Sequence, residues 1–517
     1  MFSRQSPLQA LVELSTKWAL PLWFRVSVAP RLDGRRTVVL TPSHAILVWT
    51  HYHRALLTLR DSYPIYVDQY KSAFISKRAT APAFVSFLRD QSLDVQGAIF
   101  KKLEDTVTGA KWRPRYHLLR DLPTHLPKHK PADWVSILQW AFAVRPPIAE
   151  NDGFLFTNSH LVAAMASLMQ DLSARQLLFH TTWWFLQSVG PLASCAIFSI
   201  ADIDERGAVF QKLSCGMHVD FVYNVPLSFA SKLRFSEQSR LAAYGILRAV
   251  RNASVEKVRA LRDVSEQTKS LLESVLKGAK IVVWPDAERV SLDSLELYYG
   301  QSQSNGTFPS TFSEWLDTRR QVQRFLGDDE HDLSTTVFQM YSPQLVSYDF
   351  VRNILFFSVA AMASPLYYSN GTSAMLYGGL GSVFGEKIVY VIGSVDQLLN
   401  GNPSIVPSLE EPRKYLWEYT HCRGTNVMNL AALSFAHAAY VRSRSRLEDL
   451  PLQGLENFTP EQVFFITFCH TLCWFRDSGA LGVTECNESV KNFSPFATAF
   501  SCPPGSPMNP ETQCTPF

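Results

Sequence analysis

The chain has 517 residues, of which 46% are hydrophobic and 12% aromatic, and its 49 Lys plus Arg against 46 Asp plus Glu leave a formal net charge of +3. Such a composition supports a large buried core and excludes an intrinsically disordered chain, while the nearly balanced charge excludes a dedicated nucleic-acid binder. The longest apolar run, Ile354 to Ala363 broken by Ser358, is half of what a bilayer requires, so no membrane span is expected in the chain.

In chain order, Met1 to Leu20 mixes Arg4, Gln5, Glu13 and Lys17 into an amphipathic helix pattern in which Leu8, Leu11, Val12 and Leu14 share a stripe. This stretch has neither the apolar centre of a signal peptide nor an anchor. Two short extended segments, Phe24 to Val28 and Thr37 to Leu40, flank the turn-like Asp33-Gly34 and predict a hairpin. Helical spacing returns at Leu161, Met165, Leu168, Met169 and Leu172, so the first 330 residues or so read as mostly α with a small β element. Leu122 to Ala132, with prolines at 123, 127 and 131, and the polar Tyr299 to Pro309 read as loops. The histidine pairs His51/His53 and His125/His129 lack a third ligand, and the prolines deny the second pair a helix face. The acidic run Asp328 to Asp332 lacks the alternation and the glycine of a calcium loop and reads as solvated. Arg442, Arg444 and Arg446 close a helical segment, where cations complement the helix dipole. No phosphate-binding loop, nucleophile elbow, dinucleotide fingerprint or internal repeat is present.

Eight cysteines occur, at 195, 215, 422, 469, 473, 486, 502 and 514, and none forms a C-x-x-C. Their even number permits disulfides without revealing the pairing. Glycosylation sequons stand at Asn252, Asn305, Asn370, Asn457, Asn487 and Asn492. Cysteines and sequons together point to an oxidising, secretory setting.

The carboxy-terminal part carries a more specific signature. Pro451-Leu452-Gln453-Gly454-Leu455-Glu456-Asn457-Phe458-Thr459-Pro460-Glu461-Gln462-Val463-Phe464-Phe465 is followed by Cys502-Pro503-Pro504-Gly505-Ser506-Pro507-Met508-Asn509-Pro510 and Cys514. This resembles the closing block of the neprilysin and endothelin-converting-enzyme family of zinc metallopeptidases. Trp284-Pro285-Asp286, Leu295 with Tyr298-Tyr299, Arg352-Asn353 with Phe357, Asp133-Trp134, and Pro7-Leu8 to Trp18 are similar to further family segments, so the resemblance covers nearly the whole chain.

The resemblance implies a mainly α (α+β) fold with two lobes around a central cavity, one thermolysin-like and one large and all-helical. It places a mostly helical amino-terminal region at residues 1–335, with the front of the family ectodomain absent, and a degenerate catalytic-type lobe at 336–517. In the family, two His four apart on a helix and a Glu from a second helix hold zinc, and a Glu beside the first His is the general base. Tyr377-Gly378-Gly379-Leu380-Gly381-Ser382-Val383-Phe384-Gly385 fits the family segment before that motif. In this register Glu386 and Tyr390 occupy the two His positions and Lys387 the general-base position. Lysine, with an ordinary pKa near 10.4, cannot take a proton from water at neutral pH. On the second helix, Met428 occupies the third ligand position and Ala432 that of the Asp that orients a ligand. The oxyanion-stabilising His and Arg expected between Cys473 and Asn492 have no counterpart, Arg476 being the one arginine there.

The expectation is therefore an inactive pseudopeptidase that binds peptides or proteins without cleaving them, outside the cell or as a plasma-membrane ectodomain, with pairing to an active relative as a further mode. No cofactor, nucleic acid or membrane span is expected. The alternative is a zinc-dependent metalloendopeptidase acting on short peptides. Family pairing further implies a Cys422–Cys514 disulfide, and the remaining thiols either find partners such as Cys195, Cys469 or Cys486 or stay free.

Overall fold

A computed structural model describes residues 5–30 except 19, 36–75 except 44 and 59, 81–108, and 114–193 except 127 and 143. It also describes 215–216, 218–219, 222–223, 225–230, 235–283 except 263, 291–300, 311–326, 345–400, 427–444, 451–475 and 479–514. The chain divides into two compact units, Met1–Leu227 with Ser291–Pro343, and Ser228–Val290 with Gln344–Phe517.

The first unit is built on helices α1 (Pro7–Thr16), α2 (Ala45–Thr58), α3 (Tyr63–Tyr70), α4 (Ala81–Asp90), α5 (Ser92–Thr108), α6 (Pro131–Ala141), α7 (Ser159–Asp171) and α8 (Ala174–Ala193). The expected amino-terminal helix starts where Ser6 caps it, its Oγ accepting from Gln9 N at 3.1 Å, and Pro7 occupies the first turn, where a missing N–H costs nothing. The predicted hairpin forms: β1 (Phe24–Pro30) runs antiparallel to β2 (Arg36–Pro42), with Val26 opposite Leu40. Strands β3 (Arg115–Leu118) and β4 (Gly153–Phe156) complete a sheet ordered β1-β2-β4-β3, in which β4 is parallel to β2 and antiparallel to β3. Leu122 to Ala132, expected as loop, is turn and bend over its described residues between the end of a 3-10 turn at Thr124 and the start of α6, whose first turn takes Pro131. His125, read only against His129, instead lies against His117 with ring centroids 4.1 Å apart.

The core of this unit is strongly aromatic: Trp23, Trp134, Trp183 and Trp184 are all fully buried. A polar chain threads it, Gln96 donating to Gln187 (2.9 Å) and Gln187 to the Tyr66 hydroxyl (3.2 Å), which meets the Tyr52 hydroxyl at 2.7 Å. Helices α11 (Leu292–Tyr299) and α12 (Thr311–Gln323) return to this unit because Arg319, fully buried, donates from Nε to the Trp18 carbonyl at 2.7 Å.

The second unit contains α9 (Glu237–Arg259), α10 (Glu266–Gly278), α13 (Ser382–Asn400), α14 (Val427–Arg444), α15 (Pro460–Phe475), α16 (Gly479–Val490) and α17 (Ser494–Ala499). Its sheet is ordered β5-β7-β6, with β5 (Lys280–Val283) parallel to β7 (Ile354–Phe357) and β6 (Val346–Asp349) antiparallel to it. The Arg352-Asn353 pair noted in the sequence makes the β6–β7 turn. Asn353 adopts φ 53°, its Nδ2 donates to Val275 O (2.9 Å), and its Oδ1 accepts from the Tyr348 hydroxyl (2.9 Å). Arg352 closes the same turn through Nη1 on Asp349 Oδ2 at 2.9 Å.

A single boundary at 335/336 does not describe these units: residues 228–290 belong with the carboxy-terminal segment. The physical reason is the parallel strand pair Lys280↔Ile354 together with the apolar face of α9, whose Ala243, Leu247, Val250 and Val258 join one core with Phe384 and Phe435. A parallel pairing joins strands distant in sequence and leaves no local turn signal by which to read it. The mainly helical fold with small sheets is as expected.

Candidate functional site at the crossing of two helices

Helix α13 follows a five-residue π turn, Tyr377–Gly381, which is where the glycine-rich segment becomes intelligible. A Cβ at Gly378 would stand 2.5 Å from the Phe464 carbonyl oxygen, and one at Gly385 would stand 2.7 Å from the Ala432 carbonyl oxygen. Gly385 therefore lets α13 lie backbone to backbone on α14, with Ala432 buried at the crossing, while Gly378 lets the π turn lie against the backbone of α15. Phe384, Ile388, Val391 and Ile392, at helical spacing, fill the core side of α13.

The other face of α13 carries the residues singled out in the sequence. The Lys387 ammonium lies 3.9 Å from Glu386 Oε1 and 4.7 Å from the centre of the Tyr390 ring, and its side chain is 15% exposed. Cation–π contact of this kind is worth about 0.5–1 kcal/mol where water still reaches it. Met428, on the first turn of α14, is half-buried and packs onto the apolar core of the unit. The next residue, Asn429, is buried and donates from Nδ2 to Glu485 Oε2 at 3.0 Å, tying α14 to α16. Among the described residues, no three His, Cys, Asp or Glu side chains are grouped as a metal would require. Arg476 lies outside the described residues.

One polar centre was not singled out from the sequence. His437, buried on α14, donates from Nε2 to Glu461 Oε1 at 2.9 Å inside a cage of Phe464, Phe465 and Phe493, its ring stacked on Phe465 at 5.5 Å. Burial lowers its pKa, against the raising effect of Glu461. Glu461 also meets Arg444 at 3.4 Å, and Arg442 pairs with Glu256, so two of the terminal arginines are ion-paired rather than merely solvated. Glu461 belongs to the closing signature block, and that is the one sequence signal that pointed here.

The cysteines also sort themselves. Cys469 of α15 is bonded to Cys486 of α16, with Cα atoms 5.1 Å apart. Cys514 is disulfide-bonded, and Cys422, its expected partner, lies outside the described residues. Cys215, Cys473 and Cys502 are free thiols. Of the sequons, Asn252, Asn370, Asn457 and Asn487 are exposed, and Asn305 lies outside the described residues. Asn492 is buried and fully engaged, its Nδ2 donating to Glu488 O (2.8 Å) and its Oδ1 accepting from Cys514 N (2.9 Å).

Comparison with known proteins agrees with this architecture. Residues 417–515 match the model of peptidase family M13. Endothelin-converting enzyme 1 of Cavia porcellus is 23% identical over 329 residues, covering 55% of this chain and 42% of that protein. Neprilysin-11 of Caenorhabditis elegans is 23% identical over 325 residues, 54% of this chain and 37% of that protein. The match thus spans less than half the length of these curated relatives. Among solved structures, the zinc metalloprotease Zmp1 of Mycobacterium tuberculosis in complex with inhibitor has a TM-score of 0.56 at 16% identity, over 98% of this chain and 81% of that one. PepO from Lactobacillus rhamnosis has a TM-score of 0.56 at 13% identity, over 98% of this chain and 83% of that one. At such identities the structures speak for the fold, and no described helix is long and apolar enough to cross a membrane. The signature block, the curated relatives and the fold thus agree in what the chain is similar to, the neprilysin-like zinc metallopeptidases, with residues 417–515 matching peptidase family M13.

Proposed function

We propose that the chain is a neprilysin-like pseudopeptidase, binding peptides or proteins outside the cell without cleaving them. The observation that carries this reading is the chemistry on α13 and α14 at the positions where the resemblance places the zinc ligands and the base. Glu386 is the one carboxylate among them, and it faces the Lys387 ammonium at 3.9 Å. Tyr390 receives that ammonium on its ring, and Met428 offers a neutral thioether that suits soft metals. A divalent zinc ion would meet one hard ligand and a neighbouring positive charge, so this donor set does not fit it. With Lys387 at the base position, no named side chain is left to activate a water.

An extracellular setting is supported by the Cys469–Cys486 bridge and by the exposure of Asn252, Asn370, Asn457 and Asn487. The test is elemental analysis of the purified protein alongside a fluorogenic peptide assay and a binding measurement with the same peptide. The expected result is far less than one zinc per chain, no turnover above buffer, and saturable binding of intact peptide. Stoichiometric zinc with turnover abolished by a chelator would overturn the proposal and establish a zinc-dependent metalloendopeptidase in its place.

A further inference from the structure

His117 and His125 meet in the first unit, on the strand that ends its sheet. His117 stands in β3 opposite Phe154, half-buried, with its ring 6.2 Å from that of Phe156. The chain then turns through the 3-10 helix Leu119–Thr124, and the exposed His125 comes back against His117 with ring centroids 4.1 Å apart. Backbone bonds and apolar anchors hold this turn. Leu119 N donates to Asp152 O and Arg120 N to Glu150 O, both at 3.0 Å, His125 N donates to Leu122 O at 2.9 Å, and Leu119, Leu122 and Leu126 are buried. The scaffold that brings the two imidazoles together therefore does not depend on them. Burial, then His125 and Arg115, push the His117 pKa down to about 4 against the pull of Asp121, so protons do not compete for its ring at neutral pH.

We infer that His117 and His125 form an open, exchangeable site for a divalent transition metal of the copper(II) type, which clamps the 3-10 turn to the edge strand. Imidazole nitrogen is a donor that copper, nickel and zinc share, and affinity for such donors peaks at copper(II). Geometry selects within that set. With metal–nitrogen bonds of about 2 Å, two rings at right angles in a tetragonal sphere have centroids about 4.5 Å apart, and in a tetrahedral sphere about 5 Å. The observed 4.1 Å is nearer the tetragonal value, and the exposed His125 ring has room to swing by the difference. Arg115 and Asp121 bring one charge of each sign to the pair, so the local field does not oppose a cation. Water completes the coordination sphere, since among the described residues no third His, Cys, Asp or Glu joins the two. Two protein ligands hold the ion less firmly than the four of a structural zinc site, and a chelator wash removes it. The inference concerns this turn alone and stands whether or not the chain cleaves peptides.

The chain has 13 histidines, so the test reads them one by one. The full chain, washed with a chelator, is labelled with diethyl pyrocarbonate, which modifies accessible imidazole, with and without equimolar copper(II), and the labels are mapped by mass spectrometry. In the wild type, copper is expected to suppress labelling of His125 by about tenfold and to leave the exposed His160 unchanged. His117→Gln should remove that protection, because losing one of two ligands costs at least the roughly 10–100-fold in affinity that follows loss of an outer partner. His125→Gln alters an exposed position and keeps the fold, and in it the labelling of His117 should not respond to copper. Protection of His125 that persists in His117→Gln, equal suppression at His160, or no protection of His125 in the wild type would each overturn the proposal.

Discussion

His180 shows how much a single buried side chain contributes to pH sensitivity. It is fully buried between Phe100 and Trp184, and neither ring nitrogen has a hydrogen-bond partner among the described residues. Burial, with the nearby His53, pushes its pKa down to about 3. The unfolded chain binds a proton at this residue near pH 6.5, while the folded chain refuses it until about pH 3, so stability drains away as pH falls through that window. Replacing it with a ring that cannot titrate should flatten this dependence. For His180→Phe, acid sensitivity of urea unfolding between about pH 6 and 4 should fall by up to about 1.4 kcal/mol per pH unit, with stability at pH 7 little changed. An unaltered slope would show that His180 does not carry this effect. Asn492 makes a second case at the same scale. Sequence motif alone groups it with the other sequons, but its amide is already spent on Glu488 and Cys514. Glycopeptide mapping of protein passed through a secretory cell should find glycan at some or all of Asn252, Asn370, Asn457 and Asn487 and none at Asn492.

Between elements, the decisive contacts are those made without side chains. At Gly385 the added methyl of alanine meets backbone, the Ala432 carbonyl oxygen at 2.7 Å and Cα at 3.0 Å, so no rotamer change can relieve it. Gly385→Ala should cost about 1–3 kcal/mol in denaturant unfolding, the usual range for overpacking, and Ala432→Gly should not rescue it because the clash is not with the Ala432 methyl. Rescue would mean that the helices are not in backbone contact at this crossing. Much of this layer was legible in advance. The apolar periods of α1 and α7 and the β1–β2 hairpin follow from local pattern, whereas the Tyr377 to Gly385 segment served only to set the family register and its close approach to neighbouring backbone appears first in the structure. His437 was not legible, because a histidine in an alanine-rich helix acquires meaning only when Glu461 and three phenylalanines arrive from other helices. The Cys469–Cys486 bridge likewise emerged from α15 and α16 lying side by side, where the sequence left several pairings open.

For the whole molecule, the resemblance gave the fold class correctly but not the way the chain is shared out between its compact units. The residues 228–290 that complete the second unit bring β5 and the apolar face of α9, and no local signal marks either as belonging there. A fragment of residues 336–517 should therefore fail to fold cooperatively, with β7 lacking its parallel neighbour and Phe384 and Phe435 facing an unfilled core. Supplying residues 228–290 in trans or by fusion should restore native near-ultraviolet circular dichroism and dispersed methyl resonances. A cooperative transition in the fragment alone would refute this.

The same shared arrangement sets an order of events on the ribosome. Residues 228–290 emerge with the apolar stripe of α9 exposed, and the strand partner of β5 is more than seventy residues downstream. The chain must then finish the other unit with residues 291–343 before the complement of that stripe has been made. Unpaired strand edges and uncovered apolar faces are the surfaces that aggregate and that chaperones hold. Nascent chains halted between residues 291 and 343 are thus the ones in which α9 and β5 should be most vulnerable to misassociation.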